Sequence, residues 1–292
     1  MSEVTRKSGA DLQAAPIPQK RYDEHALSYA NTFNNPIKRK IIHIMELMTG
    51  KLRVGRWVKT FESMGPAHGQ EFYDRMLMVM GITIEVPQSE LDHIPKTGPV
   101  IVVANHPHGL VDGVAMAKII GSVRSDYRIL TRSVLTGFDE EATRFLIPVP
   151  FPHDPEAQSK MVEMRKQAMA HLKADGVVVL FPSGVVATSE TLFGPVIEAE
   201  WNIFTAKLIR TSGAVVVPCR FQGRNSRAYQ MANRLSATLR QGLLVHEVVR
   251  ARDKPIAPIL GAPLTEDEIA ERLPNPREFM AWLRERTLGL RR

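Results

Sequence analysis

The residues best suited to chemistry stand together in one short segment, Asn105-His106-Pro107-His108-Gly109-Leu110-Val111-Asp112-Gly113. The segment directly follows an apolar run, Val100 to Ala104, and precedes residues with helical spacing. His106 and Asp112 lie at the two ends of a tight loop that contains Gly109, so their side chains can face each other. The carboxylate would then accept the proton of one imidazole nitrogen, and the other nitrogen would act as a general base towards a substrate hydroxyl.

Two other interpretations of this segment use the same residues. Asp112 could only cap the following helix, and a His–Asp spacing by itself often arises by chance. His106 and His108 could bind a metal ion, but they alternate across an extended segment and no third His or Cys is nearby in the sequence. We therefore expect no metal site.

Three further loops hold the remaining candidates. Phe181-Pro182-Ser183-Gly184 follows the apolar residues 177–180, residues 218–226 follow the apolar residues 214–217, and residues 146–152 precede a long helical pattern. Pro and Gly end strands by default, so each loop alone is weak evidence for a site.

The elements that must position these loops are short apolar strands alternating with helices. Strands are expected at 82–86, 100–104, 127–130, 176–181 and 214–217, with extended chain at 255–263, and helices at 114–120, 158–174, 195–211, 228–240 and 275–282. This alternation predicts an α/β fold with a largely parallel or mixed sheet and helices on both faces. In such sheets, sites lie in the loops beyond the carboxyl ends of the strands.

An amphipathic helical segment precedes this sheet. Ile37, Ile41, Ile44, Met45 and Met48 share one helical face, and residues 54–61 and 72–80 repeat the pattern. These faces could pack on the core, but basic flanks and a Trp also suit a helix that lies on a membrane. We therefore divide the chain into a flexible tail at 1–22, a membrane-association segment at 23–81 and a main domain at 82–292.

Composition excludes several classes of protein. Of the 292 residues, 44% are hydrophobic and 24% are charged, which is typical of a globular chain and not of a disordered or fibrous one. The single cysteine, Cys219, cannot form an intramolecular disulfide, which favours the cytosol. No apolar run approaches the ~20 residues of a membrane-spanning helix. The net charge of +7 favours an anionic partner.

Taken in order, the loops resemble the glycerol-phosphate and lysophospholipid acyltransferases, and within that superfamily the branch often called hemolysin-like. The blocks Asn-His-Pro-x-Gly-x-x-Asp-Gly, Phe-Pro-x-Gly and Gly-Arg-Asn-Ser of that branch match residues 105–113, 181–184 and 223–226. The resemblance covers roughly residues 80 to 230. Several blocks in the right order are specific, whereas any single one is weak.

The resemblance implies an O-acyltransferase that moves a fatty acyl group from acyl-CoA or acyl-carrier protein to the hydroxyl of a lysolipid. It makes His106 the base and Asp112 the residue that orients it, with Asn105 shaping the loop. Main-chain N–H groups near Gly184 would hold the oxyanion, and Arg220, Arg224 and Arg227 would contact anionic groups of the substrates. The substrate-binding set that the resemblance implies is Asn105, Gly109, Phe181, Pro182, Ser183, Gly184, Arg220, Arg224 and Asn225. No cofactor is implied beyond the acyl donor itself.

Three departures from the superfamily pattern bear on the acceptor. Five residues separate His106 from Asp112, where the superfamily usually has four, so the loop must bulge. Ser183 stands where the third block usually has Glu, which removes an expected acid. Residues 150–152 read Pro-Phe-Pro where the second block usually offers an Arg for the acceptor phosphate. A strict glycerol-3-phosphate acceptor is therefore not expected.

Other functions remain open at this point. The chain could be an inactive lipid-binding protein, with Ser183 as a symptom, or a hydrolase of acyl thioesters on the same scaffold. Nucleic-acid binding lacks a motif or an aromatic platform, so we expect no such partner. Between Lys207 and Arg252 there are nine Lys or Arg and one acid, Glu247, which favours an anionic membrane surface. We expect a peripheral protein on the cytoplasmic face of the membrane.

Overall fold

The computed structural model describes Tyr22, residues 28–32, 35–132 and 139–151, Asp154, and residues 156–191 and 194–292. The tail predicted at 1–22 lies outside the described residues except for Tyr22, and so does Pro152 of the second-block loop.

A six-stranded sheet forms the centre of the molecule, and it is parallel except for one edge strand. The strands of the protein are β1 (Thr83–Ile84), β2 (Val100–Ala104), β3 (Tyr127–Arg132), β4 (Leu146–Val149), β5 (Val177–Leu180), β6 (Thr188–Ser189), β7 (Val196–Ile197), β8 (Val215–Arg220), β9 (Pro255–Ile256) and β10 (Ile259–Leu260). The strand order in the six-stranded sheet is β10-β8-β2-β5-β3-β4, and only β10 runs antiparallel to its neighbour. The predicted fold class, an α/β sheet that is largely parallel, is confirmed.

Helices cover both faces of this sheet. The helices are α1 (Pro36–Glu46), α2 (Leu52–Ser63), α3 (Gln70–Met80), α4 (Gln88–Leu91), α5 (Leu110–Gly121), α6 (Glu140–Thr143), α7 (Ala157–Lys173), α8 (Phe204–Ser212), α9 (Arg227–Leu235), α10 (Ala237–Gly242), α11 (Leu244–Arg250), α12 (Glu266–Arg272) and α13 (Pro276–Leu288).

The central strand β2 shows why both faces need cover. All five of its residues are buried, because successive side chains point to opposite faces and each face meets apolar helices. Val100 and Val102 pack in one core with α3 and α5. Ile101 and Val103 pack in the other core with α7, α8 and α13.

The predicted apolar stripe is largely uncovered in α1, whereas α2 and α3 bury Phe61, Phe72 and Leu77 in the core. In α1 the buried side chains are Ile42 and Glu46, whereas Ile37 is 69% exposed and Met48, just after the helix, is 82% exposed. A wide π-type turn at 47–51, centred on Gly50, joins α1 to α2.

Several predicted boundaries are wrong. Residues 195–211 are not one helix, because residues 196–197 pair with β6 and α8 begins only at Phe204. The helix predicted at 228–240 is interrupted by the extended residue Ser236. The last helix runs on to Leu288. Strand β4 was missed because it contains Pro148, which is tolerated there since β4 lies at the edge of the sheet.

A buried arginine joins the amino ends of the three central strands β2, β5 and β3. Arg124 donates to the carbonyls of Pro95 and Gly98, which precede β2, and to that of Asp175, which precedes β5. Its guanidinium also forms two hydrogen bonds with the carboxylate of Asp126, just before β3. Replacing it would leave several carbonyls without a donor.

We expect Arg124→Ala to lower the free energy of unfolding by about 2–4 kcal/mol, because buried acceptors lose their donor. Lys118→Ala removes an exposed ion pair with Asp74 and should change that free energy by less than about 0.5 kcal/mol. Urea denaturation followed by circular dichroism measures both. Equal effects of the two variants would contradict this role of Arg124.

Candidate active site

The loops that follow β2, β5 and β8 meet at the carboxyl edge of the sheet. These strands are neighbours, with β2 between the other two, and their registers place Ala104 beside Cys219 and Val103 beside Leu180. The three predicted blocks at 105–113, 181–184 and 223–226 therefore come together, as expected for sites in parallel sheets.

Asp112 is the fully buried centre of this region. It lies in the first turn of α5, where its Oδ2 accepts the main-chain N–H groups of His108 at 2.8 Å and Gly109 at 3.0 Å. Burial alone would raise the pKa of Asp112, but the charges of the His108 and His106 imidazoles and a hydrogen bond from His108 outweigh it. The result is a pKa of about 2, so Asp112 is a carboxylate at neutral pH.

Two imidazoles share this carboxylate. Nδ1 of His108 lies 2.8 Å from Oδ1 of Asp112, and Nδ1 of His106 lies 3.0 Å from Oδ2. The His108 contact is a well-aligned hydrogen bond, whereas Nδ1 of His106 is close to Oδ2 without lying in line with it. The bulged loop thus brings His106 and Asp112 together, and it also brings His108, which the sequence analysis left out of the site.

The side chain of His108 is about as enclosed as that of His106. Burial lowers its pKa, but the charge and hydrogen bond of Asp112 outweigh burial and leave the pKa above its ordinary value. The fourth-block loop packs directly on this ring, since a Cβ on Gly223 would lie 2.8 Å from Nε2 of His108. Gly223 also has a φ of 101°, so a side chain would be doubly unfavourable there.

His106 is fixed by its main chain and by its ring. Its N–H donates to Oε2 of Glu198 at 3.1 Å, and its carbonyl accepts the N–H of Ala187 at 2.8 Å. Its ring stacks on Phe181 with 4.2 Å between the centroids. With Nδ1 facing Asp112, Nε2 is the nitrogen that can meet a substrate hydroxyl.

Asn105 joins the first and fourth loops. Its amide nitrogen donates to the carbonyl of Phe221 at 2.9 Å, and its oxygen accepts the N–H of the same residue at 2.7 Å. This pair of bonds continues the contact of β2 with β8 beyond the strands. Asn105 therefore shapes the first loop and holds it against the fourth.

The third-block loop is held by its own hydrogen bonds. The Ser183 hydroxyl donates to the carbonyl of Val185 at 2.9 Å, and the carbonyl of Pro182 accepts the N–H of Asn202. The N–H of Gly184 donates to the carbonyl of Phe181 at 2.9 Å. An oxyanion held by Gly184, as the sequence analysis expected, would have to displace that bond.

The three arginines that are predicted to contact anionic groups of the substrates lie in different environments. Arg220 donates to the carbonyl of Leu290 at 2.6 Å and so ties β8 to the end of α13. Arg224 and Arg227 are exposed. Asn225 is buried, and its amide nitrogen has no hydrogen-bond partner among the described residues.

Three charged residues of this region were missed by the sequence analysis. Arg132, at the end of β3, donates to the carbonyls of Pro150 and Gly184 and lies over the ring of Phe151. Glu247 is buried and accepts the N–H of Ser226. Glu198 is buried and accepts the main-chain N–H of His106.

No local signal in the sequence separates these residues from others of their kind. Glu198 is buried, while the acids on either side of it in the sequence, Glu190 and Glu200, are exposed. Only the observation that the third block lacks its usual acid could have prompted a search for a substitute.

An apolar pocket lies beside the loop between β2 and α5. Among the described residues its walls come from α2, α3 and α11, with Trp57, Phe61, Met80 and Leu244 among them. Leu110, two residues before Asp112, completes the wall nearest to the histidines. The pocket can therefore hold an aliphatic chain beside the first residue of α5.

Within the described residues, no group of three His, Cys, Asp or Glu side chains could hold a metal ion. None of the helices described is both long and apolar enough to span a bilayer.

Comparison with known proteins gives a family and several relatives. A family model described as Acyltransferase matches residues 85–222, which contain the first and third blocks and end directly before Gly223. A lyso-glycine lipid O-acyltransferase from Phocaeicola vulgatus is 27% identical over 204 residues, covering 67% of this chain and 69% of the relative. A protein of the same name from Bacteroides thetaiotaomicron is 26% identical over 204 residues, covering 67% and 71%.

A solved structure was also found. The crystal structure of the 1-acyl-sn-glycerophosphate acyltransferase from Thermotoga maritima has a TM-score of 0.44 and 16% identity, covering 76% of this chain and 80% of that protein.

Proposed function

Since the chain belongs to the glycerolipid acyltransferase superfamily and is an acyltransferase, we propose that it acylates the hydroxyl of a lysolipid. The donor in this proposal is a thioester, acyl-CoA or acyl-carrier protein. The observation that carries the proposal is the His106–Asp112 pair, 3.0 Å apart, beside an apolar pocket at the carboxyl edge of the sheet.

The geometry supports a direct transfer without a covalent enzyme intermediate. Nε2 of His106 takes the proton of the acceptor hydroxyl while its oxygen attacks the thioester carbonyl. Asp112, held as a carboxylate, orients the ring and stabilises the imidazolium that forms. Collapse of the tetrahedral intermediate breaks the carbon–sulfur bond, and the imidazolium returns its proton to the thiolate.

The acyl chain would lie in the pocket that begins at Leu110. Its walls are apolar side chains of α2, α3 and α11, which favour burial of methylene groups by about 0.8 kcal/mol each. An acyl chain seated there has its carboxyl end near the loop that carries His106.

The acceptor in this proposal extends beyond lysophosphatidic acid. Both curated relatives are named for a lyso-glycine lipid, so lysolipids with amino-acid headgroups belong among the candidates, together with lyso-ornithine lipid. Arg132 and Arg224 are the cations proposed to meet an anionic headgroup. Arg132 is held between the second-block and third-block loops, and Arg224 is exposed on the fourth.

The enzyme would work as a peripheral protein on the cytoplasmic face of the membrane. The exposed apolar side chains of α1 stand beside the exposed Lys38, Arg39 and Lys40, a combination that suits an anionic lipid surface. The cytoplasmic leaflet has a negative surface potential, and each cation near it contributes about 1 kcal/mol of attraction.

We expect His106→Ala to reduce acyl transfer by about 10²–10⁴-fold, because the hydroxyl loses its base. His108→Ala should retain most of the activity, since Asp112 keeps its main-chain donors and its contact with His106. Transfer of a labelled acyl group to a lysolipid measures both. Equal losses in the two variants, or a greater loss for His108→Ala, would contradict the assignment of the base.

The acceptor site should accept at least one lysolipid other than lysophosphatidic acid. We expect Arg132→Ala and Arg224→Ala each to lower kcat/KM for anionic acceptors about tenfold more than for neutral ones, because a charge-assisted hydrogen bond is lost. Arg234→Ala, an exposed arginine outside the four blocks, is the matched control. Activity with lysophosphatidic acid alone, unaffected by either variant, would contradict this proposal.

High salt or alkaline carbonate should release much of the protein from anionic vesicles, because screening weakens the attraction of Lys and Arg. Met48→Ser removes an exposed apolar contact of the N-terminal segment and should also weaken binding, whereas Val162→Ser on α7 should not. Vesicle flotation measures each. Retention through both washes, with release only by detergent, would mean that α1 and α2 insert more deeply.

A further inference from the structure

A buried acid, Glu198, lies in contact with the first block. This residue follows strand β7 and lies in the irregular segment that leads to α8. Only 5% of it is exposed, although it carries a carboxyl group and its neighbour Glu200 is exposed. A buried carboxyl of this kind needs a reason, since removal of a charge from water is costly.

Both carboxyl oxygens of Glu198 are used. Oε2 accepts the main-chain N–H of His106 at 3.1 Å, and Oε1 accepts the indole N–H of Trp201 at 3.2 Å. The hydroxyl of Ser183 also lies near this carboxyl, but it has one proton and its clearer acceptor is the carbonyl of Val185. Glu198 thus belongs to none of the three blocks, but it lies near Ser183 of the third block and accepts a hydrogen bond from His106 of the first.

The backbone of Glu198 is anchored independently. The guanidinium of Arg284, on α13, donates to the main-chain carbonyls of Glu198 and Ala199. The indole of Trp201 holds the carboxyl of Glu198, and Arg284 of α13 holds its main chain. Both contacts keep the carboxyl at the main-chain N–H of His106.

Glu198 and Asp112 contact different parts of His106. Asp112 faces the imidazole, which also lies near the ring of His108, and Glu198 accepts the main-chain N–H. Burial raises the pKa of Glu198, and hydrogen bonds from His106 and Trp201 only partly offset this.

We propose that Glu198 is a positioning residue for His106, which holds the main chain of the base through the His106 N–H. The inference rests on the proposed function, because it assumes that His106 is the base. Glu198 contacts no substrate in this account, so it should affect the rate of the chemical step and not the binding of the acceptor.

The test is the main-chain amide signal of His106 in Glu198→Gln, followed by NMR of ¹⁵N-histidine-labelled protein with the His106→Gln spectrum for assignment. We expect this signal to shift, since the hydrogen bond from the amide N–H to a carboxylate is lost. The kcat should fall about tenfold with an unchanged KM for the acceptor. Glu200→Gln removes the same charge two residues away at an exposed position and should change neither quantity.

An unchanged His106 amide signal in a folded Glu198→Gln protein would overturn the proposal. If the glutamine variant does not fold, Glu198→Asp shortens the side chain and should shift the same signal, and an unchanged signal in that variant would overturn the proposal instead. A wild-type protein without transfer activity would overturn the proposed function, whereas the amide signal would still decide whether Glu198 holds the main chain of His106.

Discussion

The buried carboxylate of Asp112 is the constraint on which the site depends. A charge with no exposed surface is tolerable only when its oxygens are fully used, and here they accept two main-chain N–H groups and meet two imidazoles. The start of α5 adds a favourable dipole. Each of these partners fixes part of the loop between β2 and α5, so the charge and the loop geometry stabilise each other.

The surrounding structure serves to keep these partners in place. Strand β2 is buried on both faces and delivers Asn105 and His106 to the edge of the sheet. Asn105 then fixes the loop to the end of β8, and Phe181 at the end of β5 stacks on the ring of His106. The absence of a side chain at Gly223 leaves room for His108. Residues far apart in the sequence thus converge on one carboxylate.

The sequence was informative where the candidate residues directly follow a predicted strand. The pairing of His106 with Asp112, and the meeting of the three loops, could be predicted from strand-then-loop patterns, because parallel strands bring their carboxyl ends to one edge. Glu198 and Arg132 could not, since their roles depend on a hairpin and a neighbouring strand that place them beside distant loops. Strand β4 was missed because edge strands tolerate proline, and the helix predicted at 195–211 failed because its first residues pair with β6.

In the proposed reaction the His106–Asp112 pair transfers an acyl group to a lipid hydroxyl rather than to water. The most direct measurement is the ratio of free thiol released to lysolipid acylated, with purified protein, acyl-CoA or acyl-carrier protein as donor, and lysolipids presented in vesicles. We expect one thiol released for each acylated lipid, and no release above background when the lysolipid is omitted. Thiol release that proceeds equally without the lysolipid would contradict the proposed reaction.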